Sequence, residues 1–491
     1  MDLCSWLERH ADFSPDRIAL EFEGRCLSWS MLCRGTLRLA TLLAGLGVGP
    51  GERVAYLGYN SPELLSLLFA CARTGALLVP LNWRLAGPEH ARILADAEPR
   101  LLLYDRDFAS AASALSGTRA LLLNDLAARG TEVAEQRGDA GASLRSPLLI
   151  VYTSGTTGRP KGAVLTQSAL AWNAVNAAHM HDLTSDDHVL TTLPMFHVGG
   201  LNIQTVPALH AGARVTLHRR FDPAATLAAI ATGRPSLMVL VPAQIAALIA
   251  HPQWRETDLT CLRLLATGSQ IVPRHLIEAV HARGVPVIQI YGSTETAPIA
   301  LYQTRRDAFI AVGSCGKPAL HGEARIVDRD GKDVTNGEHG EILIRGPHVM
   351  TGYWRDPAAT SAALQDGWFH TGDIGHVDAQ GFYWIDERKH DVIISGGENV
   401  YPAELEAILN ADLRIAEAAV VARPDPRWGE VPVAVIVRRT DASLEAADAL
   451  ALFRDRVARF KHPRDVVFVP ELPKNALGKV LRHVLREKVN S

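Results

Sequence analysis

The apolar run Leu148-Leu149-Ile150-Val151-Tyr152 leads straight into Thr153-Ser154-Gly155-Thr156-Thr157-Gly158-Arg159-Pro160-Lys161-Gly162. A strand that ends in glycines, hydroxyls and a lysine has what a phosphate requires. Bare backbone N–H groups can approach the oxygens, hydroxyls add hydrogen bonds, and the cation offsets charge. The segment is not a Walker A loop, which needs Gly-Lys-Ser/Thr, because here Pro160 precedes the lysine and Gly162 follows it. A polar turn after a strand is the plainer reading of the same residues. Further along, Glu295 follows the run Gln289-Ile290-Tyr291-Gly292-Ser293-Thr294. That puts a carboxylate near a strand end, where open α/β sheets bind ligands. Asp373 follows a Thr-Gly turn, and its carboxylate could accept from the vicinal hydroxyls of a ribose.

These groups need a scaffold, and the chain supplies one. Short apolar runs alternate with longer amphipathic stretches, the pattern of sheets covered by helices. Strands are expected at 53–57, 75–81, 101–104, 214–217, 237–241, 262–266 and 285–289, and helices at 62–73, 88–97, 223–232, 243–250 and 273–283. From about residue 320 to 387 short strands punctuated by Gly and Asp indicate a β-rich subdomain. After the polar cluster Asp386-Glu387-Arg388-Lys389-His390-Asp391 a new α+β pattern begins, with helices expected at 402–410 and 446–460. The expected class is therefore α/β: a large N-terminal domain, 1–387, of helix-covered sheets with its β-rich subdomain, and a small α+β C-terminal domain, 388–491. The Ala/Gly/Arg-rich stretch 126–145 reads as loop.

With 491 residues, 47% of them hydrophobic and 21% charged, the chain can bury a sizeable core and is neither fibrous nor disordered. A net charge of −3 provides no general field for nucleic acid. The six cysteines have neither C-x-x-C nor metal-ligand spacing and are read as reduced thiols. No signal peptide or membrane-spanning run is apparent, so a cytoplasmic protein is expected. A homodimer is one assembly open to such a chain. The histidines His179 and His181 lack carboxylate or cysteine neighbours and are read as surface, not as metal ligands.

The segment Thr153 to Gly162 resembles the signature of AMP-forming adenylating enzymes: acyl-CoA synthetases, luciferases and the adenylation domains of peptide synthetases. The resemblance continues, in the family's order, through Gln289 to Glu295, Gly367-Trp368-Phe369-His370-Thr371-Gly372-Asp373, Asp391 to Pro402 and Pro473-Lys474-Asn475-Ala476-Leu477-Gly478-Lys479. It implies binding of ATP or AMP by Thr153, Ser154, Gly155, Thr156, Thr157, Gly158, Lys161, Gly268, Gln289, Tyr291, Gly292, Thr294, Asp373, Arg388 and Lys479. It also implies Tyr291 against adenine, Asp373 and Arg388 on the ribose, Mg²⁺ reached by Glu295, and a catalytic set of Lys479, Glu295, Thr153, Lys161 and His197. A hinge at His390, where the family has Asp or Lys, would turn the C-terminal domain between two half-reactions. The loop Ser395, Gly396, Gly397 and Glu398 would then receive coenzyme A.

The block Pro194-Met195-Phe196-His197-Val198-Gly199-Gly200-Leu201 resembles the family segment bordering the acyl site, so Phe196, His197, Val198, Gly199, Gln270 and Ile290 are expected around the acyl group. Amino-acid-activating relatives carry an Asp where His197 stands, and a buried ammonium without a carboxylate is costly, so amino acids are disfavoured. Leu201, Ile203, Val206 and Leu209 offer no cation for a second carboxylate. The expected substrate is an apolar carboxylic acid, either medium- or long-chain fatty or aryl, ligated to coenzyme A with ATP and Mg²⁺. Two other readings are an acyl-AMP ligase that loads a separate carrier protein and a non-catalytic relative. Lys461, Arg464, Lys474 and Arg482 could meet CoA phosphates or be solvated charges.

Overall fold

The computed structural model describes residues 2–490 except 86, 116, 130–141, 155–159, 270–271, 389–392, 396–397, 401, 426–427, 441, 455, 458 and 476–477. The chain forms two compact units, residues 1–324 with 344–370, and residues 325–343 with 371–491. The expected boundary at 388 came from a polar cluster. That position lies within the second of these units, which takes in residues 325–343 and 371–388 with the C-terminal residues.

The first unit contains two large sheets. In the nine-stranded sheet, Ile18–Phe22, Arg214–Leu217, His188–Thr191, Leu237–Leu240, Leu264–Gly268 and Val287–Tyr291 run parallel in that spatial order, and antiparallel strands finish each side. In the seven-stranded sheet, Pro147–Ser154, Leu77–Leu81, Arg53–Leu57, Leu101–Tyr104 and Arg119–Leu122 are parallel. Antiparallel Pro160–Thr166 and Gly352–Tyr353 extend it beyond Pro147–Ser154. Parallel strands need crossovers, and the helices provide them.

Local chemistry sets the helix ends. Ser61 caps Pro62–Thr74 by accepting from the Leu64 N–H at 3.1 Å, with Pro62 in the first turn. Gly75, at φ 74°, ends the helix in the left-handed conformation, so the following strand starts at Leu77 and not at Gly75 as expected. Asp222 caps Pro223–Gly233 in the same manner, accepting from Ala225 at 2.8 Å. The helices Pro223–Gly233, Pro242–Ala250 and Arg274–His281 bury Leu227, Ile230, Ile245, Leu248, Ile277 and Val280 against Leu190, Met238, Leu240 and Leu265 of the first sheet. Each fully buried aliphatic side chain is worth about 1.5–3 kcal/mol.

Three expectations shift. Strands expected at 262–266 and 285–289 lie at Leu264–Gly268 and Val287–Tyr291, two residues later, which places Gly268 and Tyr291 at strand ends. A helix, Leu123–Arg129, enters the stretch expected to be loop from 126. His181, expected at the surface, is buried in the last turn of Gln167–His181, whereas His179 is exposed as expected and bonds the Tyr302 hydroxyl at 2.8 Å.

Strands Glu323–Val327, Gly340–Arg345, Trp368–Val377, Leu364–Gln365 and Tyr383–Arg388 form the β-rich sheet, and the division between the units falls within three of them. The remainder of the second unit is a five-stranded sheet of Glu398–Val400, Ile393–Ser395, Gly429–Arg438, Ile415–Asp425 and Asp465–Phe468, with helices Pro402–Asn410 and Arg482–Asn490. The helix expected at 446–460 runs only over Ala446–Ala451. The chain there tightens into i→i+3 turns, Arg454 to Ala451 and Arg456 to Phe453, which leave Phe453 fully buried in the core.

Candidate active site

Strands Pro147–Ser154 and Pro160–Thr166 pair with Thr153 opposite Lys161, and the Thr153 hydroxyl bonds the Lys161 carbonyl at 3.4 Å. This register returns the lysine to the position of the loop's first hydroxyl. Residues 155–159 of the loop, including the expected Gly155, Thr156, Thr157 and Gly158, lie outside the described residues, and so does the side chain of Ser154.

Glu295 comes from the other sheet. After Val287–Tyr291, Gly292 packs so tightly that an added Cβ would lie 1.7 Å from the Pro298 carbonyl oxygen, so only glycine fits. The Ser293 N–H then donates to the Thr296 hydroxyl at 2.9 Å, closing the single turn Thr294–Thr296 that presents Glu295. Glu295 is buried, its carbonyl accepts from the Met350 N–H at 2.7 Å, and its Oε1 accepts from the Tyr353 hydroxyl at 2.8 Å. Tyr353 belongs to the short strand on Pro160–Thr166, and its ring carries the Lys161 ammonium at 5.3 Å from the centroid. The fold therefore joins Lys161 and Glu295, 134 positions apart in sequence, around one tyrosine. Burial and the Glu295 charge both push the Tyr353 phenol up, which keeps it a neutral donor. Oε2 of Glu295 has no hydrogen-bond partner among the described residues, which suits a hard cation. The sequence reading missed Tyr353; nothing local distinguishes it from a packing tyrosine.

Gly268 and Ile290 are direct register partners at the ends of neighbouring parallel strands. Gln289 is buried, and its amide donates to the Ser314 carbonyl at 2.5 Å, so that group is committed to holding the following loop. Tyr291 is partly exposed at the strand end, and Thr294 lies in the turn. Gln270 lies outside the described residues; just before it, Ser269 is left-handed at φ 76°.

Phe196 and Val198 are buried, and Gly199 is partly so. The His197 ring lies 4.3 Å from that of Phe196, and its buried Nε2 has no partner among the described residues. Burial, reinforced by the charge of Arg84, pushes the His197 imidazole down to about 3. Both aromatic residues border a cleft shared with Leu81, Asn82, Leu85 and Tyr152. Arg84, absent from the sequence reading, lies over the Trp83 ring at 4.5 Å and the Phe196 ring at 5.5 Å. A cation thus reaches this region from a segment far from 201–209. Leu201–Thr205 is a π-helical turn, and it buries two side chains, Asn202 and Gln204, whose amides have no partners among the described residues.

In the second unit, Asp373 is buried and pairs in register with Arg388, so the two expected ribose positions face each other across adjacent strands. The side chain of Arg388 is outside the described residues, as are His390, Gly396, Gly397 and the side chain of Glu398. Ser395 is buried at the end of its strand, where it pairs with Gly429. Lys479 stands on an exposed turn: its N–H donates to the Asn475 carboxamide at 2.9 Å, and its carbonyl accepts from the Asn475 N–H at 2.8 Å. Three of the basic residues expected as free or CoA-facing charges are engaged. Lys461 pairs with Glu404 and Lys474 with Glu417, each at 2.6 Å, and Arg482 pairs with Glu406 at 2.9 Å. Arg464 lies over the Trp428 ring at 5.8 Å.

All six cysteines are free thiols. Among the described residues no helix is long and apolar enough to cross a membrane.

Residues 7–354 match the AMP-binding enzyme family, and residues 404–479 match the AMP-binding enzyme C-terminal domain. The chain is 52% identical to an indoleacetate–CoA ligase of Aromatoleum aromaticum, covering 100% of this chain and 98% of that protein. It is 42% identical to a feruloyl-CoA synthase of Amycolatopsis, over 99% of both. Among solved structures, o-succinylbenzoate coenzyme A synthetase from Bacillus subtilis, bound to ATP and a magnesium ion, is 32% identical with a TM-score of 0.88, covering 98% of this chain and 99% of that one. Matched in sequence and fold from end to end, the chain belongs to the AMP-binding family of adenylate-forming enzymes, as an AMP-forming acid–CoA ligase that uses ATP, Mg²⁺ and coenzyme A.

Proposed function

We propose that the acid is aromatic, an indoleacetate-like or hydroxycinnamate-like carboxylate, and that the chain acts on it in the cytoplasm. The observation that carries this is the end-to-end identity of 52% with an indoleacetate–CoA ligase, followed by 42% with a feruloyl-CoA synthase. The aromatic surface of Phe196, with the Trp83 ring 6.3 Å away, supports it, since a substrate ring can pack edge-on or offset against such rings.

The chemistry follows from the poor leaving group of a free carboxylate. A carboxylate oxygen attacks the α-phosphorus of ATP, the bond to the β-phosphate breaks, and pyrophosphate leaves. The thiol of coenzyme A, losing its proton, then attacks the carbonyl carbon of the mixed anhydride, and AMP leaves. The first step concentrates negative charge. In this reading Thr153, Lys161 and the intervening loop hold phosphate oxygens, and Lys479 donates to the oxygen developing charge at the α-phosphate. Asp373 accepts from the ribose hydroxyls, with Arg388 beside it. Glu295 would hold Mg²⁺, which supplies charge neutralisation when bound. Tyr353 fixes one oxygen of Glu295 and so turns the other outward. His197 gates the acyl site as a neutral ring, and the loop from Ser395 to Glu398 receives the pantetheine thiol. A turn of the C-terminal segment about a hinge at His390, between the two half-reactions, completes the reading.

The test is pyrophosphate and AMP release from MgATP with indoleacetate, ferulate, benzoate and a series of fatty acids, with and without coenzyme A. The panel includes o-succinylbenzoate because Arg84 could serve a second carboxylate. Highest turnover on indoleacetate or ferulate, dependent on coenzyme A, is expected. Preference for octanoate to palmitate would remove the aryl assignment, and adenylate formation indifferent to coenzyme A would favour carrier loading.

A further inference from the structure

We infer that His339, His376 and Asp386 form a binding site for a divalent transition-metal ion, distinct from the Mg²⁺ that accompanies ATP. The three residues come from three segments of the second unit: the turn before Gly340–Arg345, the strand Trp368–Val377 and the strand Tyr383–Arg388. A β-bulge brings them together. The register pairs Ile374 with Glu387 and Gly375 with Ile385, so Asp386 is the extra residue between two pairs. Bulges re-aim side chains, and this one delivers the carboxylate to the histidines.

The distances fit an ion. Nδ1 of His339 lies 2.7 Å from Oδ2 of Asp386, Nδ1 of His376 lies 3.1 Å from the same oxygen, and one ligand atom from each residue falls within 4.8 Å of the other two. Ligand atoms around tetrahedral zinc, with bonds of about 2.0–2.1 Å, stand roughly 3.3 Å apart. Small side-chain rotations reach that spacing, and the His339 side chain is 44% exposed. The less exposed His376 is held from behind: Trp384, its cross-strand partner, stacks on the ring at an interplanar angle of 6°, and the Trp384 indole N–H is anchored on Asp378 at 2.9 Å. Such supported imidazoles are good ligands. Two imidazoles and a carboxylate leave a fourth position for water, and nitrogen ligands select Zn²⁺, Co²⁺, Ni²⁺ or Cu²⁺ over Mg²⁺. The adjoining open cleft carries Asp328, Asp333 and Glu338, a negative approach for a cation, although Asp333 is partly matched by Arg325 at 3.8 Å. A bound ion would pin the strand that ends at Arg388.

The test is titration of the EDTA-treated full-length chain with Co²⁺, and separately with Zn²⁺ by calorimetry, in excess Mg²⁺ and without ATP. One ion per chain is expected, with a visible d–d band from cobalt. His339→Ala, His376→Ala and Asp386→Asn should each weaken binding at least about tenfold. His339→Ala is the safest for folding because that side chain is half exposed, and thermal melting checks all three. Glu295→Gln should retain the band. No saturable site in the original chain, binding by His339→Ala and His376→Ala as tight as that of the original chain, or loss of the band in Glu295→Gln would each overturn the inference.

Discussion

Two lysines are expected to face phosphate, and the molecule treats them differently. Lys161 is fixed by a β-hairpin register, lies over a tyrosine ring, and shares that tyrosine with a buried glutamate. Lys479 stands on an exposed turn organised by Asn475 and by Gly478 at φ 79°. A packed cation keeps one position; a cation on an exposed turn can be presented or withdrawn. In the proposed reaction the difference suits two successive half-reactions, because the adenylate phosphate stays bound through both while the Lys479 donor serves only the first.

The strongest way to break this comparison is Lys479→Ala. Removing a positioned donor at the developing charge should cost about 2.7–4 kcal/mol, a 10²- to 10³-fold loss in adenylation, with thermal stability unchanged because the residue is exposed. Transfer from supplied acyl-adenylate to coenzyme A should survive; equal loss of both half-reactions, measured separately, would cancel the assigned role. Next, Tyr353→Phe removes a hydrogen bond to a carboxylate, worth about 1.5–3 kcal/mol. It should raise the KM for MgATP more than it lowers turnover with supplied adenylate, and an unchanged KM would mean that the tyrosine only packs. Gly292→Ala should destabilise the first unit by about 1–3 kcal/mol, since the added methyl meets the Pro298 carbonyl. A melting temperature equal to that of the original chain would refute the tight turn under Glu295.

The smallest effect sharpens the contrast between buried and exposed groups. Burial pushes His181 and His348 down to about 4 and His197 to about 3, below the usual 6.5. A depressed folded value means that the unfolded chain binds more protons between about 4 and 6.5. Stability from these residues is therefore complete above pH 6.5 and falls as the pH drops through that window. Each contributes a slope of at most about 1.4 kcal/mol per pH unit. Denaturation midpoints from pH 7 to 4.5 should show the fall, and His348→Asn should flatten it; an identical slope would place the effect elsewhere.

Much of this was legible in the linear chain, for reasons that differ by residue. The expected phosphate loop is a reading of local composition, because glycines, hydroxyls and lysine must be neighbours to cradle an anion. Ser61-Pro62 and Asp222-Pro223 announce helix starts for the same local reason. His181 was misread because a histidine's burial depends on which face of its helix meets a sheet, and its helix shows little contrast between faces. Lys474 and Arg482 looked free because their acidic partners, Glu417 and Glu406, lie 57 and 76 positions away.

The sequence by itself determined the family, the order of the motifs, the alternating architecture and the identity of the charged groups, since these rest on residue type and near-neighbour spacing. Tertiary structure alone decided that Tyr353 couples Lys161 to Glu295, that Arg84 reaches Phe196, and that a bulge carries Asp386 to two histidines. Tyr353 over Lys161 and Asp386 beside His376 depend on strand register, and Arg84 meets Phe196 between two turns distant in the chain; no local pattern encodes either, and a shift of one residue in register would turn such strand side chains to the opposite face of their sheet.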